Sequence, residues 1–244
     1  MDFSGKTVIV TGAAAAIGRA TALQFAELHA NLVLVDMDEE KLKLIHQEII
    51  DMGVDALAFP IDISNEADVR EVTRQALAHF GKIDILINNA GLWRRFIPFV
   101  ETTSDMWKRF IDVNILGTMY FSHAVLPNML ENGYGRIINI ASVAGVYGNA
   151  NMADYSMTKG ALIAFTKALA KEVVNKGILV NAVSPGSVSS ADSDQDGYAP
   201  SELAFMGRTG THREFANTIC FLASDDASYI SAQNIQVDGC RKKQ

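Results

Sequence analysis

TVIVTGAAAAIG occupies residues 7–18 and joins a short apolar, β-branched run to a turn of small residues. Residues 7–10 have the character of a strand that is buried on both faces. Residues 19–29 follow with the apolar periodicity of a helix. A strand, a small-residue turn and a helix in this order direct backbone N–H groups and a helix N-terminus at a bound pyrophosphate. The stretch therefore predicts a dinucleotide site on a parallel sheet.

An acidic residue ends the next predicted strand. Residues 31–35 are an apolar run that closes at Asp36, 24 residues after Gly12. A carboxylate there can accept hydrogen bonds from an adenosine ribose, and it would repel a 2′-phosphate. The alternative is that Asp36 only caps the helix that begins near Asp38.

Strands and helices continue to alternate along the rest of the chain. Further strands are predicted at 56–61, 83–87, 136–141, 178–183 and 234–237. Helices are predicted at about 38–52, 66–80, 104–130 (broken near Pro127), 154–175 and 211–223. This alternation predicts an α/β fold, a doubly wound, mostly parallel seven-stranded sheet of the Rossmann type, with residues 1–244 as one domain. A polar segment at about 187–207 reads as a substrate loop.

Polar and small residues follow these strands at one predicted edge of the sheet. Ligands of such sheets bind beyond the carboxyl ends of the strands. The residues at or just past a strand end are Gly12, Asp36, Asp62, Asn88, Ser142 and Pro185.

Tyr155 and Lys159 are four residues apart in a predicted helix, so they share one face. An ammonium group near a phenol stabilises the phenolate and lowers its pKa, which makes the tyrosine a usable acid and base. Ser142 could donate a hydrogen bond to the same substrate oxygen. The pair alone arises by chance about one time in four, and a solvated helix face is the simpler interpretation.

Composition excludes several functions. The formal charge of −7 and the pI near 5.2 argue against nucleic-acid and membrane-surface partners, which need a basic face. No apolar run is long enough to span a membrane, and we expect no signal peptide. The two cysteines and five histidines lack ligand spacing, so no metal site is expected. A reduced, cytoplasmic setting fits this cysteine usage.

Taken together, these motifs resemble the short-chain dehydrogenase/reductase family, nearly from end to end. The residues that carry the resemblance are Thr11-Gly12 through Ile17-Gly18, Asn88-Asn89-Ala90-Gly91, Asn114, Ser142, Tyr155 with Lys159, Pro185-Gly186 and Val237-Asp238-Gly239.

The resemblance implies hydride transfer between a nicotinamide cofactor and a secondary alcohol or ketone. Tyr155 would exchange the proton, and Lys159 would hold the nicotinamide ribose and lower the tyrosine pKa. Ser142 would orient the carbonyl, and Asn114 would support a water that relays protons. Taken alone, Asn114 could be a polar residue in a helix interior, but the other motifs argue against that alternative. The implied cofactor contacts are Gly12, Ala16, Ile17, Gly18, Asp36, Asp62, Ile63, Asn88, Ala90, Gly91, Tyr155, Lys159, Pro185, Gly186 and Val188.

The chain departs from the family pattern at a few positions. Ala16 and Cys240 stand where glycine is usual, and Ser190 stands where threonine is common. We predict that Ala16 keeps a negative φ and that cofactor binding survives with some loss. Asp36, without an arginine inside the turn, predicts NAD(H) rather than NADP(H).

The substrate stays open at this level. A pocket is expected among Trp93, Arg94, Arg95, Phe96, Val143, Tyr147, Asn149 and the substrate loop, which carries Asp192, Asp194, Asp196 and Glu202. These acids would disfavour an anionic substrate and the two arginines would favour one, unless both sets face solvent or a neighbouring subunit. An alcohol, polyol or ketone is favoured over a 3-oxoacyl thioester, and a non-catalytic nucleotide sensor is a third reading. The resemblance also implies a homotetramer that pairs the helices at about 104–130 and 154–175.

Overall fold

A computed structural model describes residues 1–93, 96–189 and 198–242 of the chain. Some residues with predicted roles lie outside these ranges. They are Arg94, Arg95, Ser190, Asp192, Asp194 and Asp196.

Seven strands in the described residues form one parallel sheet, in the order β3-β2-β1-β4-β5-β6-β7. The strands are β1 Thr7–Thr11, β2 Asn31–Asp36, β3 Ala56–Pro60, β4 Ile85–Asn88, β5 Gly135–Ile140, β6 Ile178–Pro185 and β7 Asn234–Val237. The order reverses between β1 and β4, which pair directly. The doubly wound parallel sheet is therefore confirmed, and its topological switch point lies beside the turn at residues 11–18.

Helices cover both faces of the sheet. They are α1 Ala16–Glu27, α2 Glu39–Asp51, α3 Glu66–Phe80, α4 Ser104–Phe110, α5 Thr118–Asn132, α6 Val143–Tyr147, α7 Ala153–Val173 and α8 His212–Ala223. Among the described residues, no helix combines the length and the apolar character needed to cross a bilayer.

Alternate residues of the strands supply two separate cores. Val8 and Val10 of β1 pack with α1, α2 and α8, whereas Ile9 packs with α3, α5 and α7 on the opposite face. This division follows from the two-residue period of a strand. It also explains why residues 7–10 contain no polar interruption, because both faces of β1 are covered.

The break predicted near Pro127 is wrong. Pro127 lies inside α5, and the chain stays helical from Ser104 to Asn132. Phe121, Val125 and Met129 of α5 are fully buried in the second core, and this packing outweighs the one hydrogen bond that a proline removes. The irregularity lies earlier, in a π-helical turn at Ile111–Gly117.

The short helix α6 was not predicted. It follows Ser142, whose Oγ accepts a hydrogen bond from the N–H of Ala144 at 3.1 Å and so caps the helix. Gly145 brings α6 close to α7, because a Cβ on this glycine would lie 2.5 Å from the carbonyl carbon of Lys159. The five residues of α6 are too few to show helical periodicity in the sequence.

The prediction that Ala16 keeps a negative φ is also wrong. Ala16 has φ 48°, directly after Ala15 in extended conformation with φ −149°. The chain must reverse at this point to start α1, because Gly12 and Gly18 meet closely across the turn. Cys240, the other replacement of a usual glycine, likewise has φ 60°. A left-handed conformation costs an L-residue about 1–2 kcal/mol.

Substitution Ala16→Gly is expected to raise the free energy of unfolding by about 1 kcal/mol, because it relieves this backbone strain at an exposed side chain. Ala15→Gly is the matched control, and it should lower the same quantity by about 0.5 kcal/mol, since Ala15 is unstrained. Urea unfolding of the three proteins measures both effects. Equal destabilisation by the two substitutions would contradict the strain at Ala16.

Candidate active site

The glycine turn after β1 is held in place by Asn89. Asn89 Nδ2 donates hydrogen bonds to the carbonyl oxygens of Thr11 at 3.0 Å and Gly12 at 3.1 Å, and its backbone N–H donates to Thr11 Oγ1 at 2.9 Å. The end of β4 therefore fixes the path of the turn after β1. Asn89 belongs to the motif at residues 88–91, but the sequence alone assigned it no role. Its position directly after a buried strand is the feature that could have indicated one.

The turn can take this path only because two of its residues lack side chains. Gly12 has φ 66°, and a Cβ there would lie 2.8 Å from Asn89 Nδ2. A Cβ on Gly18 would lie 1.8 Å from the carbonyl oxygen of Gly12. Ile17 is buried beneath the turn. The N-terminus of α1 thus opens onto a cradle that fits a pyrophosphate group.

Asp36 faces this cradle from the end of β2. One carboxylate oxygen accepts a hydrogen bond from the N–H of Ala14 at 3.0 Å, and the other accepts from the N–H of Asp38 at 3.0 Å. The cap of α2 is instead Asp38, whose side chain accepts from the N–H of Lys41. The alternative reading of Asp36 as the cap is therefore wrong, and its half-buried carboxylate stands beside the turn.

Ser142, Tyr155 and Lys159 meet beyond the end of β5. The hydroxyl of Ser142 faces the phenol of Tyr155, and its interaction with the phenol opposes the rise that burial causes in the pKa of Tyr155. Lys159 Nζ donates to the carbonyl oxygen of Ile140 at 2.7 Å and lies 6.0 Å from the centroid of the Tyr155 ring. The ring packs edge-on against Phe110 with centroids 6.3 Å apart. The structure therefore brings together the three residues that the sequence placed in one site.

Burial dominates the protonation of both groups. Burial raises the pKa of Tyr155 above its ordinary value, and the interaction with Ser142 opposes this shift. Burial lowers the pKa of Lys159 to about 8. The amine of Lys159 donates to the Ile140 carbonyl and is itself desolvated. The expectation that Lys159 lowers the tyrosine pKa stays a prediction.

Asn114 lies in the π-helical turn and is fully buried. Its Oδ1 accepts from the N–H of Leu92 at 2.7 Å, and its Nδ2 donates to the carbonyl of Leu92 and to Thr158 Oγ1, both at 3.1 Å. It thereby ties the strand end of β4 to α7. A Cβ on Gly91 would lie 3.2 Å from both Asn114 Oδ1 and Lys159 Nζ, so these residues adjoin. The proton-relay role of Asn114 stays a prediction.

Three predicted cofactor contacts have other partners in this structure. The Asp62 carboxylate pairs with Arg109 at 2.7 Å and accepts from Ser64. Burial raises its pKa, but these hydrogen bonds outweigh that effect and lower it. Ile63 packs where a Cβ of Gly117 would otherwise lie. The buried side chain of Asn88 donates to Ser122 and Asn139.

The side chain of Asn88 thus belongs to a polar chain in the interior. Asn88 as a whole is 2% exposed, and its contact with the cofactor stays a prediction. The half-buried Ala90 follows it at the same edge, next to the turn, since its N–H donates to Thr11 Oγ1 at 3.0 Å.

The end of β6 is held against the end of β7. The N–H of Gly186 donates to the carbonyl of Val237 at 2.9 Å, and Pro185 pairs with Val237. A Cβ on Gly186 would lie 2.7 Å from the Cα of Asp238. Val188 forms a parallel bridge with Gly210. These contacts place residues 185–188 at the same edge as Ser142.

The described part of the substrate loop pairs with the segment that follows β7. The N–H of Phe205 donates to the carbonyl of Cys240, that of Met206 to Gly239, and that of Lys242 to Leu203, at 2.9–3.1 Å. Of the residues expected around the substrate, Val143 is buried, whereas Trp93, Phe96, Tyr147 and Glu202 are exposed. The loop is therefore anchored on one side by its own backbone.

Comparison with known proteins gives consistent matches along the whole chain. The family model described as enoyl-(acyl carrier protein) reductase matches residues 12–240. A 2-dehydro-3-deoxy-L-rhamnonate dehydrogenase (NAD(+)) of Sphingomonas sp. (strain SKA58) is 38% identical over 244 residues, which cover 98% of this chain and 96% of that protein. The 3-oxoacyl-(acyl-carrier-protein) reductase FabG of Escherichia coli (strain K12) is 35% identical over 243 residues, 98% of both chains. The crystal structure of NAD+-bound xylitol dehydrogenase superposes with a TM-score of 0.91 at 33% identity, covering 98% of this chain and all of that one.

Replacement of Lys159 by methionine should change how stability depends on pH. The folded pKa of about 8 lies below the ordinary value of 10.5, so the folded chain binds fewer protons than the unfolded chain between these pH values. The contribution of Lys159 to stability therefore increases as the pH rises through this window. Lys159→Met should be more stable than the parent below pH 8, and this advantage should shrink towards pH 10.5.

Chemical unfolding at several pH values measures this difference. Lys167→Met is the control, because Lys167 is a solvent-exposed lysine on the same helix. A stability difference between Lys159→Met and the parent that does not vary with pH would refute the lowered pKa.

Proposed function

The chain belongs to the short-chain dehydrogenase/reductase family of NAD(P)-dependent oxidoreductases, and we propose that it oxidises a secondary alcohol of a small polyhydroxylated substrate with NAD. Hydride transfer between a nicotinamide cofactor and an alcohol or ketone is the chemistry of this family. The observation that carries the proposed chemistry is the meeting of Ser142, Tyr155 and Lys159 beside the glycine cradle. We propose that all of residues 1–244 form one oxidoreductase domain.

Each site residue has a role that follows from its position. Tyr155 accepts the hydroxyl proton of the substrate during oxidation and returns it during reduction. Ser142 lies beside the phenol of Tyr155 and orients the same substrate oxygen. Lys159 is held at the floor of the site by Ile140 and binds the ribose next to the nicotinamide. A bound dinucleotide supplies the ring that accepts or gives the hydride.

The cofactor is held between the turn and Asp36. Gly12, Ala16, Ile17 and Gly18 surround the pyrophosphate, and the carboxylate of Asp36 accepts hydrogen bonds from the adenosine ribose. A 2′-phosphate would meet this negative charge. Support for NAD also comes from the relatives, since one is named for NAD(+) and the xylitol dehydrogenase was solved with NAD+ bound.

The proposed substrate class is based on the names of the same relatives. One acts on a deoxy sugar acid and another on xylitol, according to their names, and both substrates carry several hydroxyl groups. The second candidate is a 3-oxoacyl-(acyl-carrier-protein) reductase, which the FabG proteins at 34–36% identity favour. Asp36 argues for the first candidate, because the acyl-carrier role usually draws on NADPH.

We also propose a cytoplasmic homotetramer. The family association pairs the helical segment 104–132 with α7 of a second subunit. Met119 and Met157 are large apolar residues that lie exposed on these two helices, as an interface requires.

Tyr155→Phe should lower kcat about 100- to 10,000-fold, because it removes the acid and base while it retains the ring that packs on Phe110. NADH binding, measured by fluorescence titration, should remain. Tyr229→Phe controls for the loss of a phenol, since Tyr229 is fully exposed. Full turnover by the Tyr155→Phe protein would overturn the proposed chemistry.

Asp36→Asn should reduce the preference for NAD over NADP by about tenfold or more, because it removes the charge that opposes a 2′-phosphate. The ratio of kcat/KM for the two cofactors is the measurement. Asp51→Asn, at the exposed end of α2, changes the net charge equally and should leave the ratio unchanged. Comparable kcat/KM with both cofactors in the unaltered protein would count against the NAD proposal.

A further inference from the structure

Arg241 is a half-buried cation that pairs with no carboxylate among the described residues. One of its N–H groups donates to Asn149 Oδ1 at 3.4 Å. An arginine carries five N–H donors in a planar fork, so this bond leaves most of them free for a ligand. Arg208, the nearest comparison, is already held by both carboxylate oxygens of Glu214 at 2.9 and 2.7 Å.

The contacts of Arg241 connect it to the loop that joins α6 and α7. Asn149 belongs to the loop between α6, which Ser142 caps, and α7, which carries Tyr155. The N–H of Asn149 donates to Ser156 Oγ at 3.2 Å, and Ser156 is the residue next to Tyr155. Two hydrogen bonds therefore connect the guanidinium to the helical turn that carries the catalytic tyrosine.

The backbone on both sides of Arg241 is fixed. Ala204 and Arg241 form an antiparallel bridge, and the hydrogen bonds of Cys240 and Lys242 to the substrate loop flank it. A second contact joins the same elements, because the Tyr147 hydroxyl donates to Gln236 Oε1 at 2.5 Å. The backbone that carries Arg241 is thus held by hydrogen bonds on both sides.

We propose that Arg241 is a specificity-determining residue that binds the carboxylate of a small hydroxy acid whose alcohol carbon faces Tyr155. This inference rests on the proposed dehydrogenase function and names its substrate class as sugar acids. A guanidinium matches the planar geometry of a carboxylate through two parallel hydrogen bonds. Its partial burial protects the pair from solvent screening. A carboxylate close to the reacting alcohol is a feature of compact hydroxy acids, whereas the phosphate of an acyl-carrier arm lies far from its thioester.

The test compares acids with neutral partners of the same carbon skeleton. Oxidation of D-xylonate and other aldonates is measured against xylitol and the corresponding alditols, with NAD, for the parent protein and three variants. Arg241→Gln should lower kcat/KM for acids by roughly 10- to 100-fold, mostly through KM, the effect of losing a charge-assisted hydrogen bond. The values for neutral substrates should change by less than about twofold.

Two further variants isolate the guanidinium. Arg241→Lys keeps the charge without the fork, and its loss should be intermediate. Lys242→Gln is the matched control, because this neighbouring lysine is exposed and lies over the ring of Phe205. It should leave both substrate classes unaffected. A purely structural role of Arg241 would instead weaken acids and neutral substrates equally.

Calorimetric titration of aldonates into the protein–NADH complex gives a readout that does not need turnover. The unaltered protein should bind an acid more tightly than its alditol, and Arg241→Gln should abolish this difference. Equal binding of both classes, or an acid preference that persists in Arg241→Gln, overturns the inference. Absence of NAD reduction with every alcohol tested overturns the proposed function instead.

Discussion

The approach of two glycines fixes the course of the turn after β1. A Cβ on Gly18 would lie 1.8 Å from the carbonyl oxygen of Gly12, which is well inside the contact distance of any two non-bonded atoms. Asn89 holds the same carbonyl from the end of β4. These contacts fix the position of the start of α1. They also fix the N–H of Ala14, which donates a hydrogen bond to the carboxylate of Asp36. The proposed cofactor site is thus assembled from three strand ends before any ligand arrives.

The catalytic side of the site depends on desolvation. Lys159 is 4% exposed and is satisfied by one backbone carbonyl, so its burial works against its charge. The same burial works against the phenolate of Tyr155. Both groups are therefore shifted towards their neutral forms, and the hydroxyl of Ser142 opposes this shift at the tyrosine. The protonation that catalysis requires is set jointly by the fold and by what binds to it.

The sequence predicted those features that depend on a local pattern, such as the apolar run of a strand or the spacing of two residues in a helix. Both faces of β1 are covered, so its apolar run predicted a buried strand, and the four-residue spacing of Tyr155 and Lys159 predicted a shared face that the structure shows. Features that depend on contacts between distant segments could not be predicted. Packing of Phe121 and Met129 overrides Pro127, and Gly145 permits α6 to lie on α7. The contacts of Asn89 and Arg241 likewise involve partners far away in the chain.

Ala16 and Cys240 adopt left-handed backbone conformations because the path of the chain requires them, although neither residue favours such a conformation. Both hold positive φ values where glycine would fit without strain, and the two large cores tolerate the penalty. Such a loop therefore keeps its backbone path even when glycine, the residue that suits a positive φ best, is absent. A pattern search that insists on glycine at each of these places would pass over proteins like this one, whereas a profile that scores the whole strand–turn–helix unit would retain them.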